Sequence, residues 1–173
     1  MKKAQIWVET AIYTLIGLAI IGVVLTVATP AIDKYKDEIV IEQTIVVLND
    51  LNSKIQEVKE LGAGNRRLIP ELRIKEGILE IDYTEDKIVY VLEESRLEYG
   101  EAGQEFDEGD IRVKTEKRGR RYDIFLTLSY EDVDLSNGNE KKTLQAAAVP
   151  YKLFIENNGT IGNKIQVRIG DIS

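Results

Sequence analysis

At 173 residues the chain has room for one apolar segment and one modest domain. It contains neither cysteine nor histidine, which excludes disulfides, zinc sites built on those ligands and histidine-dependent catalysis. The net charge of −7 argues against a general nucleic-acid binder, which needs a basic face to neutralise phosphates, and suits a soluble exposed surface.

The chain opens Met1-Lys-Lys-Ala-Gln-Ile-Trp-Val-Glu9, and then carries no charge until Asp33. Thr10 to Ile32 gives 23 uncharged residues rich in Leu, Ile, Val and Ala, where a bilayer core needs roughly 20 helical residues. A secretory signal peptide has a shorter apolar core, about 7–15 residues, followed by a small-x-small cleavage site. This run is too long for one and continues into helical sequence, so removal after the apolar core is not expected. Lys2 and Lys3 favour leaving the N-terminus in the cytoplasm and the remainder outside. Glu9 is the anomaly, because a carboxylate in a span costs a few kcal/mol and persists where it has a partner or a function.

Past Pro30 the pattern turns amphipathic. Ile41, Ile45, Leu48, Leu51, Ile55 and Val58 recur at three- and four-residue steps, with charged and polar residues between them. This stripe is expected to pack on the chain's own domain. Gly62 is the expected stop, giving a helix from about Gln5 to Leu61. Pro30, Gly17 and Gly22 weaken it, so a kink or locally extended stretch is expected near the proline.

Lys2-Lys3-Ala4, then Gln5-x-x-x-Glu9 and a long apolar helix, resembles the class III signal peptide of archaeal type IV pilin-like proteins. The resemblance covers about the first 60 residues. It implies a prepilin leader over residues 1–4, cut by prepilin peptidase on the cytoplasmic side between Ala4 and Gln5. Glu9 becomes the fifth residue of the mature chain. Trp7 stands where many members carry Ser, a departure from the pattern. The new Gln5 α-amino group, with an ordinary pKa near roughly 8, would be largely protonated near neutrality. It could offset Glu9 in the same helix or in a neighbouring subunit and so set register during assembly; cyclisation to pyroglutamate would remove that charge. Other copies of the chain, the peptidase and the membrane are the implied partners, and no cofactor is implied.

From about Leu68 the sequence breaks into short alternating stretches. Leu72–Lys75, Ile78–Tyr83, Lys87–Leu92, Ile111–Thr115, Tyr122–Tyr130, Thr143–Ala148, Tyr151–Ile155 and Lys164–Ile169 read as strands. Asn137-Gly138 and Asn158-Gly159 read as turns. The expected fold is α+β: a long helix, apolar over 5–32 and amphipathic over 33–62, packed on an antiparallel β domain over 63–173.

Asn158-Gly-Thr160 is the one N-x-[ST] match and a possible N-glycan acceptor in an exposed turn. Glu93 to Asp110 holds eight acids against Arg96, and Arg112 to Arg121 six bases against Glu116. These could pair between subunits, or be two solvated loops. Asp132-x-Asp134-x-Ser136-Asn-Gly138 fails as a calcium loop, since its glycine falls one place late and no Glu closes it. Asp107-Glu-Gly-Asp110 has nothing to distinguish it from a solvated loop. No catalytic constellation is legible. The expected function is a structural subunit of a pilus-like surface filament and not an enzyme, membrane-held as precursor and at the cell surface when assembled. The alternatives are a minor pilin or pseudopilin of a secretion or uptake machine, an uncleaved anchor with an extracellular binding domain, and, least favoured, a membrane-tethered enzyme.

Overall fold

A computed structural model of the chain describes residues 7–136, 138 and 140–172, with the backbone of residues 2–6. Asn137 and the side chains of Ala4 and Gln5 therefore lie outside the described residues. The described residues form one helix, α1 (Lys2–Leu61), and ten strands. Two compact units result, residues 1–36 and residues 37–173.

In the first unit the helix runs without interruption through Gly17, Gly22 and Pro30. The locally extended stretch expected at Pro30 is absent. The proline costs the helix one N–H donor, and the turns on either side hold the helical path.

The second unit begins at Asp37 and contains the amphipathic part of α1. All six stripe residues named above, Ile41, Ile45, Leu48, Leu51, Ile55 and Val58, are buried. They share one core with the inner faces of two sheets, the chain's α+β nucleus. The larger sheet is antiparallel throughout. Its order is β4 (Glu105–Glu108), β5 (Ile111–Arg118), β6 (Arg121–Ser129), β3 (Lys87–Ser95), β2 (Ile78–Asp82), β8 (Lys141–Gln145). The smaller runs β1 (Arg66–Leu72), β9 (Tyr151–Ile161), β10 (Lys164–Asp171), β7 (Val133–Ser136). Alternation sets the inward residues: Ile88, Tyr90 and Leu92 on β3, Ile124, Leu126 and Leu128 on β6, Val133 and Leu135 on β7.

Four expectations are corrected. The first strand is Arg66–Leu72, not Leu72–Lys75; Pro70 sits at the free edge of its sheet and interrupts the alternation there. The pairing is antiparallel except for β7 and β10, which run parallel. Two short strands, β4 and β7, lie in stretches not read as strands. Finally, Asn158-Gly159 is not a turn. It lies within β9, where two residues oppose Gln166 between the pairs Asn157↔Val167 and Thr160↔Ile165, so it forms a β-bulge. Gly159 takes φ 98, which a side chain would resist. The turn from β9 to β10 is Gly162-Asn163.

Candidate assembly helix and β-domain sites

From Trp7 to Lys36 no residue of α1 is buried within the chain. Trp7, Tyr13, Leu15, Leu18, Val23 and Val27 are each about two-thirds exposed or more. Glu9 stands among them, exposed, and makes no hydrogen bond or ion pair with another described residue. Three hydroxyls of this segment are satisfied internally. The hydroxyls of Thr14, Thr26 and Thr29 donate to the carbonyls of Thr10, Gly22 and Leu25 at 2.9, 2.6 and 2.7 Å. Bonding to the preceding turn lets a hydroxyl enter an apolar medium without an unpaired donor. The segment is the one described helix long and apolar enough to cross a membrane.

The far end of α1 is closed by asparagines. Gly62, at φ 82, follows Leu61 and ends the helix as expected. Asn65 Nδ2 donates to Leu61 O at 2.7 Å, and buried Asn157 Nδ2 donates to Val58 O at 2.9 Å. Both bonds satisfy carbonyls that a helix end leaves open. Asn157 is fully engaged: its N–H donates to Asn65 O, its carbonyl accepts from Gly64 N, and Oδ1 accepts from Gly159 N at 2.8 Å. Its neighbour Asn158 is exposed, as is Thr160. The potential acceptor therefore sits on the bulge that Asn157 braces.

The segregated charges meet within the chain at two ion pairs. The β4–β5 pairing sets Glu105 opposite Lys114 and Asp107 opposite Arg112, with ion pairs at 3.9 and 3.2 Å. Lys114 also pairs with Glu116 at 2.8 Å, and that contact holds its ammonium above its ordinary value. Tyr99 donates to Glu108 at 2.9 Å; burial, with that bond, pushes its phenol up to about 12. Asp110 accepts from Asn52 Nδ2 at 2.8 Å, joining the acidic turn to α1.

The Asp132–Gly138 stretch is likewise structural. Asp132 pairs with Lys59, which holds its carboxyl below the usual range. Among the described residues no group of three or more carboxylates could hold a metal ion.

Two carboxylates missed in the sequence organise the strand connections. Asp86, buried at φ 50, accepts from Leu135 N at 2.8 Å and from Lys164 Nζ at 2.6 Å, tying the β2–β3 turn to β7 and β10. Burial alone would raise the Asp82 carboxyl. The N–H groups of Glu85 and Thr84 and the Lys141 ammonium outweigh it and hold the group below its ordinary value. Neither residue carries a sequence signal beyond its place in a turn.

What the fold and these sites define is a class: one long apolar N-terminal helix, able to span a membrane, followed by a β domain, compatible with a pilin-like architecture. Comparison with protein-family models, with curated proteins and with solved structures finds no match.

Proposed function

We propose that this chain is the structural subunit of a type IV pilus-like surface filament, held in the membrane as a precursor and processed between Ala4 and Gln5. The observation that carries the reading is the apolar surface of α1 from Trp7 to Ile32, which no described residue buries. Such a surface needs lipid or other apolar helices around it. A membrane covers it before assembly and neighbouring copies cover it afterwards. Lys34 and Lys36 beyond the span equal Lys2 and Lys3 in number and offset the bias expected from those two alone, so the inside N-terminus rests on the processing site. The resemblance of Lys-Lys-Ala-Gln to a cytoplasmic processing site supports an inside N-terminus. In this reading Glu9 pairs with the Gln5 α-amino group of a neighbour, and Asn158 faces the exterior as a possible glycan acceptor.

Mass spectrometry of the chain from its native host tests the reading. The expected N-terminus is Gln5 or its pyroglutamyl form; a chain that still begins at Met1 would instead be an uncleaved anchor. Glu9→Gln is expected to leave membrane insertion intact while lowering filament yield, scored by microscopy. A normal yield would reject the pairing role.

A further inference from the structure

The end of the second unit at which the chain enters it has a surface chemistry of its own. The chain enters at Asp37, whose carboxylate accepts from Ser95 Oγ at 2.8 Å and from Arg96 N at 2.7 Å. Ser95 pairs with Tyr122 on β6, and the other end of that strand leads to Tyr130, which donates to Asn52 at 3.1 Å. Going from Asn52 back to Asp37 along α1 thus parallels going from Tyr130 back to Tyr122. Beyond Tyr122 in that direction lies the β5–β6 hairpin tip, Lys117-Arg-Gly-Arg-Arg121, closed by Arg118 opposite Arg121. Strand β8 points the same way, since Gln145 pairs with Ile78 and Ile78 with Val91. It runs out into Ala146-Ala-Ala-Val149, every residue of which is exposed. Tyr151 pins that loop at its base, its hydroxyl donating to Gln145 O at 3.0 Å.

One end of the unit therefore presents four bases without an acid at a hairpin tip and, with β3 and β2 between the two, an apolar loop whose Val149 is 73% exposed. Behind the tip Asp123 takes Arg118 at 3.0 Å and Glu98 takes the Tyr122 hydroxyl, and the exposed Glu76, Glu93 and Glu94 line the strand ends between the tip and the base of the loop. Lys117 and Arg120 are exposed and have no ion-pair partner among the described residues. Basic groups over an apolar insertion are what an anionic lipid surface binds. The covalent tether supplies the rest. Ile32, the last residue of the apolar run, lies five residues before Asp37, at most about 18 Å of extended chain. Such a tether keeps this end near the bilayer, so a weak contact is enough to populate a docked state.

We propose that Lys117, Arg118, Arg120 and Arg121, with the Ala146–Val149 loop, form a lipid-facing footing that rests on anionic headgroups while the precursor is in the membrane. The proposal builds on the reading that residues 10–32 cross a bilayer. Release of the footing accompanies departure of the helix from lipid, so it belongs to the precursor and not to the filament.

The chain has no cysteine, so single labels are unambiguous. The full chain would be placed in vesicles of mixed phosphatidylglycerol and phosphatidylcholine, with a fluorophore on Val149→Cys or, at the opposite end of the unit, on Ile161→Cys. A headgroup-attached quencher is expected to quench the label at 149 and spare the label at 161. Quenching should fade in pure phosphatidylcholine and in high salt. Each base near an anionic surface contributes roughly fivefold in occupancy, so Lys117→Gln with Arg120→Gln should lower docking about 25-fold. Quenching of Trp7 by brominated lipid reports the span separately. Trp7 in lipid with the two labels equally exposed overturns the footing alone; Trp7 in water overturns the footing and the anchor together. Burial of the label at 149 that rises with protein concentration, whatever the lipid, assigns the surface to a second copy and overturns the lipid footing.

Discussion

Asn157 and Asn158 are adjacent and chemically identical, yet they do opposite work. Asn157 is buried and its amide holds the last turn of α1 and the bulge at Gly159. Asn158 is exposed and supplies the sequon. Truncating Asn157 leaves Val58 O and Gly159 N–H without their side-chain partners, and Asn157→Ala is expected to cost about 1–3 kcal/mol in urea unfolding. Asn158→Ala should stay within about 0.5 kcal/mol and, if the sequon is used, remove one glycan mass. The sequence distinguishes Asn158 through its Thr two places on. It gives no sign of Asn157, because a helix cap supplied from almost a hundred residues away leaves no local pattern. Asp86 was hidden for the same reason: its partners come from β7 and β10.

Among the elements, α1 was the most legible and the short edge strands the least. A helix declares its buried face through regular spacing, and all six apolar residues at that spacing are in the core. The same helix offers a control. Leu48 is fully buried, whereas Val46, two residues earlier, is 67% exposed. Leu48→Ala should destabilise the domain by about 2–5 kcal/mol, the cost of a buried cavity. Val46→Ala should cost less than about 0.5 kcal/mol. Equal midpoints in chemical denaturation would contradict the packing of the stripe. Strands β4 and β7 span only Glu105–Glu108 and Val133–Ser136, too short for alternation to stand out. Each borrows its identity from a partner, β4 from β5 and β7 from β10, and that partnership is a property of topology.

For the whole molecule, the succession of one long helix and a C-terminal β domain was readable from charge and hydropathy alone. The two-sheet arrangement was not, since it depends on which distant strands pair. Its shared core makes stability sensitive to alkali. Burial pushes the Tyr90 phenol up to about 12, and burial with the nearby Asp110 carboxylate raises Tyr130 further. Below the ordinary phenol value of 10.0 both are protonated in the folded and unfolded chain alike. Above it the unfolded chain loses the protons first, so stability should fall as pH rises from there through about 12. Urea midpoints measured near pH 8 and again near about pH 11 should show the decline, and Tyr90→Phe with Tyr130→Phe should flatten it.

The parallel pairing of β7 with β10 bears on the order in which the domain can fold. Strand β1, just after the helix, waits for β9; β7 waits for β10; the cap on α1 waits for Asn157. Contacts of such long sequence separation form late, after their loops have closed. A chain emerging N-terminus first cannot lock the domain until its C-terminal strands arrive. Under the export proposed above, the polypeptide would stay threadable through a narrow conduit for as long as it is in transit, and become rigid only on the far side.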